Sequence, residues 1–459
     1  MRLEQLYLRR RIIISISVFL FLFAAPWCFI LPSSAQIAEP NLNIQTVTSG
    51  LDFPTGMAFI APNDMLITEK NTGKVQRIIN GQMLAEPVID VSVANDVERG
   101  LLGIAVSKNV SDNKTYVFLY YTESDEGTEN GNGNEESDSG VDYGTEEEEQ
   151  KEKGGQDGGE PIGNRLYRYE FINGKLVNPK LLLDLPYLPG PAHNGGVIAI
   201  GPDNNVYVMV GNLYSPILNK DPPEPNLAQN QRDGENPDGR GGIVRVTQQG
   251  QIVNETNSIL GDEHPLNMYY AYGIRNSFGI AFDPLTGNLW DTENGGRNEI
   301  NLVEPGFNSG YDQVTGMPYL DNDQEFDVDD LVDFNGRGKY SDPELDIVSH
   351  IAPTAIVFFD SEKYGEQFYG DLFVGLISGE IFQLNLDRSR TEFELKGKLS
   401  DKVGDPAEEL DSITFAKNMG LITDLEVGFD GYLYATIYDK GEIIRIIPTS
   451  TTDLRTYQQ

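Results

Sequence analysis

A hairpin unit that recurs six times is the feature of this chain that leaves the fewest folds open. Each copy starts with small residues and an alternating strand, turns on Pro, Asn, Asp or Gly, and continues into a second and often a third strand. The first reads Gly56-Met57-Ala58-Phe59, Met65-Leu66-Ile67-Thr68 and Val75-Gln76-Arg77-Ile78. The second has Leu102-Gly103-Ile104-Ala105 and Tyr116-Val117-Phe118-Leu119-Tyr120-Tyr121, and the third Val197-Ile198-Ala199-Ile200, the turn Gly201-Pro202-Asp203-Asn204 and Val206-Tyr207-Val208-Met209-Val210. Gly279-Ile280-Ala281-Phe282, Ala355-Ile356-Val357-Phe358 and Leu425-Glu426-Val427-Gly428 open the remaining three. Repetition of one unit at a fixed period is what radial and solenoid architectures produce. An all-β, six-bladed β-propeller accommodates the copies best, because alternation lets both faces of each sheet pack on a neighbour. Ring closure needs an early strand to join the last blade, and residues 42–48 supply the alternating pattern for it. A β-sandwich or several small β domains are the rival architectures.

Composition narrows the function classes. A net charge of −37 repels phosphate backbones and argues against a nucleic-acid partner. One Cys and three His exclude a disulfide framework and a His- or Cys-based metal cluster.

The chain starts with Arg2, Arg9, Arg10 and Arg11 against the single acid Glu4, followed by an apolar run over residues 12–31 and by Pro32-Ser33-Ser34-Ala35-Gln36. That layout predicts a signal peptide cut after Ala35, or alternatively an uncleaved membrane anchor, over residues 1–35. Either way the body, residues 36–459, is expected outside the cytoplasm, secreted or held at the outer face of the membrane. Residues 123–160 carry 15 acidic residues against Lys151 and Lys153. A stretch so charged and so poor in apolar residues cannot offset its ordering entropy. It reads as a disordered insertion inside a hairpin formed by Tyr120-Tyr121 and Arg165-Leu166-Tyr167-Arg168-Tyr169.

Three motifs can carry chemistry. Ala192-His193-Asn194-Gly195-Gly196 puts a His beside two Gly, where backbone can approach a ligand closely; the alternative is a turn His that caps a strand. Tyr272-Gly273-Ile274-Arg275-Asn276-Ser277 offers a fork of donors beside an amide, or a pair that only ties loops together. Trp290-Asp291-Thr292-Glu293-Asn294-Gly295-Gly296-Arg297-Asn298-Glu299 is a Gly loop between carboxylates that can point carbonyls at a hard cation, or an ordinary polar loop.

Together, and with Pro54-Thr55-Gly56-Met57, Glu98-Arg99-Gly100-Leu101-Leu102-Gly103, Glu299-Ile300-Asn301-Leu302 and Ala352-Pro353-Thr354, these motifs resemble the glucose/sorbosone dehydrogenase family. The resemblance covers roughly residues 45–447 apart from the acidic insertion. It implies an exported six-bladed sugar dehydrogenase that uses pyrroloquinoline quinone (PQQ) and Ca²⁺, oxidises an aldose to its lactone and passes electrons to an external acceptor. It further implies that His193 is the general base and that Arg275 stabilises charge on the quinone. Asn276, Glu98 and Arg99 would lie against the cofactor, and Gly295 and Gly296 would lend carbonyls to Ca²⁺. Some positions depart from the family pattern. Asn212 stands where Asp is usual, Gly296 where Pro is typical, Ile377-Ser378 where a Lys is expected, and Leu421 and Thr423 where two Arg are expected. Lys70, Arg99 and Arg297 are the cations that could replace them. The departures keep two rivals in view: a non-catalytic propeller binding a glycan or protein, and a Ca²⁺-dependent lactonase-like hydrolase.

Overall fold

The computed structural model describes residues 35–109, 113–125, 158–214, 225–253, 258–318, 327–348, 351–405 and 407–449. The leader and most of the acidic insertion lie outside them. The described chain is organised in six sheets of four to six strands, with helix limited to short turns such as Ala407–Leu410.

One edge strand of each sheet lies innermost: Pro54–Ala61, Leu101–Asn109, Ile198–Ile200, Gly279–Phe282, Pro353–Phe358 and Ile422–Val427. Each touches the innermost strand of the next sheet, and the last touches the first. The result is a propeller-like ring around a central cavity.

Six apolar cores sit between successive sheets, and strand periodicity creates them. In Asp64–Glu69, Met65 and Ile67 pack in the core shared with the sixth sheet, while Leu66 packs in the core shared with the second. Val206, Val208 and Val210 face the second sheet, and Tyr207 and Met209 face the fourth. The remaining two cores join the fourth sheet to the fifth and the fifth to the sixth. Because successive side chains point to opposite faces, a strand buried on both sides reads as a continuous apolar run. That is why Asn205–Val210 is buried almost throughout.

The ring is closed by the N-terminal segment. Leu42–Ser49 pairs antiparallel with Glu442–Pro448 and forms the outer edge of the sixth sheet. The turn after Ile198–Ile200 takes the expected form, with Asn204 at φ 61° and its N–H bonded to the Gly201 carbonyl. Asn tolerates that left-handed conformation because its short side chain bonds locally.

The acidic segment sits in a hairpin between Lys114–Ser124 and Pro161–Ile172, but it starts later than its charge suggests. Glu123 and Ser124 are ladder residues opposite Gly163 and Pro161, and Glu123 forms an ion pair with Arg165. Cross-strand pairing overrides local composition there. Several short parallel strands also escape the repeat pattern: Phe307–Asn308 with Lys339–Tyr340, and Leu345–Ile347 with Val403–Gly404.

Candidate functional site

All six innermost strands begin at the same end of the ring, and the three motifs converge there. His193 adopts φ 60°. Glycines make room for its segment. A Cβ on Gly211 would lie 2.3 Å from the His193 carbonyl oxygen, one on Gly195 2.5 Å from the Met209 carbonyl oxygen, and one on Gly103 1.9 Å from that of Gly196. The two-glycine signature therefore works by close approach, to the third sheet's own backbone at Gly195 and to the second sheet at Gly196.

The imidazole is buried, lies against the Tyr214 ring with centroids 5.5 Å apart, and donates from Nδ1 to Asn212 Oδ1 at 2.6 Å. The Asn212 amide is oriented in turn by Nδ2 donating to the Tyr311 hydroxyl at 3.1 Å. With Nδ1 protonated, Nε2 carries the free lone pair. Burial, reinforced by the Arg275 charge, lowers the His193 pKa to about 3, against a smaller upward effect of Asn212. The ring is neutral at ordinary pH.

Glu98 is the hub of the constellation. Its Oε2 accepts the His193 backbone N–H at 2.6 Å, and Asn276 also hydrogen-bonds its carboxylate. Burial raises its pKa, opposed by those bonds and by Arg275 and Lys70. Arg275 donates from Nη1 to the Asn294 carbonyl at 2.9 Å and bonds Tyr311. Asn276 is buried, and its Oδ1 has no hydrogen-bond partner.

Arg99 is drawn away from this group. It bonds Asp96 at 3.3 Å and the Tyr187 carbonyl at 2.8 Å, and the cavity lining includes Glu98 but not Arg99. Arg297 is likewise committed, its Nε donating to both oxygens of the fully buried Asp346 at 2.8 and 2.7 Å. Of the three possible substitute cations only Lys70 reaches the cavity. Its Nζ bonds Asn71 and the Asn95 carbonyl, and burial lowers its pKa to about 8.

The Gly295-Gly296 loop follows Leu289–Glu293. Asn294 Oδ1 is buried without a partner beside it. Beneath lie three buried carboxylates: Asn301 Nδ2 donates to Asp291 and Glu293 at 3.1 Å and to Glu299 at 3.5 Å. Burial pushes all three pKa values up, helped by repulsion from Glu299 at Asp291, from both neighbours at Glu293 and from Asp346 at Glu299. Among the described residues no group of three His, Cys, Asp or Glu is placed to hold a metal ion.

The central cavity, about 1560 Å³, reaches Glu98, Lys70 and Gly195 at the His193 end. Ile377, Ser378, Leu421 and Thr423 line it as well. Thr423 Oγ1 donates to the Pro54 carbonyl at 2.9 Å, and the Leu421 N–H to Asp439 at 2.7 Å. Further along the cavity are Asp360, Asp424 and Glu426. Asp424 accepts the Met57 N–H at 2.6 Å. Burial raises the pKa of Asp424 and of Glu426. Tyr311 and Asp424 stand in no motif singled out from sequence. The Gly310-Tyr311 step, with Gly310 at φ 101°, was the available signal.

Residues 51–445 match the model of the Glucose / Sorbosone dehydrogenase family. An uncharacterized protein of Synechocystis is 24% identical over 425 residues, covering 90% of this chain and 88% of its own. The aldose sugar dehydrogenase YliI of Escherichia coli is 23% identical over 423 residues, covering 91% and 96%. The PQQ-bound aldose sugar dehydrogenase of Streptomyces coelicolor superposes with a TM-score of 0.58 at 20% identity, covering 91% of this chain and 99% of that one. At that identity the superposition establishes the shared fold, and the family match does the rest: this chain belongs to the Glucose / Sorbosone dehydrogenase family.

Proposed function

We propose that the protein is an exported aldose dehydrogenase that oxidises the anomeric carbon of a sugar, with His193 as general base. One observation carries the reading: a neutral His193, fixed by Asn212 through Nδ1, is held by its backbone N–H on Glu98, which lines the large cavity, bonds Asn276 and feels the Arg275 charge. Nε2 takes the proton from the anomeric hydroxyl while C1 gives up its hydrogen as hydride to a quinone-class acceptor. The sugar becomes a lactone and the acceptor a quinol, which recovers the proton from His193. Arg275 stabilises the negative charge that develops on the reduced oxygen.

The Gly295 and Gly296 carbonyls and Asn294 Oδ1 are hard oxygen donors suited to part of a Ca²⁺ shell. A bound Ca²⁺ would supply Lewis-acid polarisation of a ligand carbonyl. PQQ itself does not fit. It brings three carboxylates, and among the described residues the site opposes them with Lys70 and Arg275 alone. The basic and apolar start of the chain supports delivery outside the cytoplasm.

The test is reduction of a redox dye by the purified protein with a panel of aldoses, with added quinone and Ca²⁺, and detection of the lactone. Sugar binding without oxidation would instead favour a glycan-binding propeller. Leu421 and Thr423 in place of cations support that second reading.

A further inference from the structure

We infer that the cavity accepts an uncharged quinone in place of a tricarboxylate one. The inference rests on the dehydrogenase reading and names the acceptor class of that same site.

The charges on the cavity wall carry the argument. Among the described residues five carboxylates line it, Glu98, Asp360, Asp424, Glu426 and Asp439, against one ammonium, Lys70. Arg275 is outside that lining and acts on Glu98 through its charge. Lys70 is already shared between Asn71 and the Asn95 carbonyl, close to Asp96 and Glu98. The other two guanidinium groups near this end are held by Asp96 and Asp346. A trianion entering here leaves water without gaining the charge-assisted, bidentate partners that hold carboxylates in proteins.

Where such partners are expected, the wall is Ile377, Ser378, Leu421 and Thr423. Thr423 spends its hydroxyl on Pro54. Burial already drives Glu98, Asp424 and Glu426 toward their neutral forms, so a wall that resists its own negative charge resists added charge as well. The net charge of −37 adds long-range repulsion of the same sign.

An uncharged ortho-quinone meets none of these penalties. Its carbonyl oxygens need only donors, and the Lys70 ammonium, which lines the cavity, carries three N–H bonds where Asn71 and the Asn95 carbonyl take two. The apolar wall formed by Leu102, Ile104, Ile198 and Ile356 suits a flat ring system. Electrons balance as in the reaction above: one hydride and one proton convert the quinone to its quinol.

The experiment compares PQQ with its trimethyl ester, which keeps the ring system and removes the charges. Both are titrated by calorimetry into the full-length protein at low ionic strength, with Ca²⁺ present. The ester is expected to bind at least about tenfold tighter, because it enters without charges that the wall would leave desolvated and unpaired. Added salt should narrow the gap by strengthening PQQ binding, and Leu421→Arg with Thr423→Arg should reverse the preference. PQQ binding as tightly as the ester would overturn the inference and leave aldose oxidation standing. Binding of neither, with a sugar still bound, would overturn both.

Discussion

His193 Nδ1 lies 2.6 Å from Asn212 Oδ1, so a neutral amide holds the tautomer that a carboxylate would otherwise hold. An amide orients the ring as a carboxylate does but adds no negative charge to stabilise an imidazolium. Burial and Arg275 therefore dominate, and the His193 pKa is lowered to about 3.

The rate of aldose oxidation should accordingly show no imidazole-dependent acid limb between pH 5 and 8. Asn212→Asp should raise the His193 pKa by about 1 to 3 units and improve proton abstraction near neutrality. A pH–rate profile of both proteins decides it. Superimposable profiles would remove Asn212 from control of the base.

Replacing His193 with Asn keeps a residue that tolerates φ 60° and removes the base. Turnover should fall by about 10² to 10⁴-fold with little change in melting temperature. Retention of wild-type turnover would take His193 out of the mechanism.

Gly211→Ala tests the backbone approach that builds the site. Its Cβ would lie 2.3 Å from the His193 carbonyl oxygen and 3.0 Å from that of Arg275. Displacing both functional residues should cost about tenfold or more in kcat and lower the melting temperature. An active variant of normal stability would show that the loop yields.

Stability should fall as pH rises from about 4 to 8. Asp291, Glu293, Glu299, Asp424 and Glu426 all have folded pKa values raised above 3.8 or 4.5 by burial. Their contribution is complete below the unfolded values and is lost as pH climbs through the folded ones. His193 acts oppositely between about 3 and 6.5, but it is one group against five. Melting at pH 5 should exceed that at pH 8 by at least about 2 °C. The reverse order would mean that these carboxylates are charged and compensated in the folded protein.

Excising the acidic insertion should respect the ladder. Joining Asp125 to Gly158 by a short turn keeps Glu123 on Arg165 and the Asp125 N–H on the Glu160 carbonyl. The product should stay soluble with an unchanged melting temperature. Removing residues 123–160 instead should destabilise the second sheet.

The repeated strands were legible in sequence because period-2 alternation is a local property, and the strands found in all six sheets include those read from it. The site was legible in part. His193, Arg275, Asn276 and Glu98 do converge, since each sits at the start of an innermost strand or in the loop before it. The fate of Arg99 was not legible, because its pull toward Asp96 and the Tyr187 carbonyl depends on a loop from another part of the chain. The same holds for Tyr311, which reaches Asn212 across 99 positions of sequence. The buried carboxylates around Asn301 looked like ordinary polar loop residues, because burial is decided by neighbouring sheets.

The pairing of Leu42–Ser49 with Glu442–Pro448 sets a timetable for the nascent chain. The early strand waits for a partner translated about 400 residues later, so five sheets can assemble while the sixth is incomplete. A chain cut short before Glu442 would leave Leu42–Ser49 and Leu433–Ile437 with free edges, each a template for pairing with another chain. Incomplete products would therefore be cleared or aggregate, and loss of either Leu42–Ser49 or Glu442–Pro448 would leave the ring open.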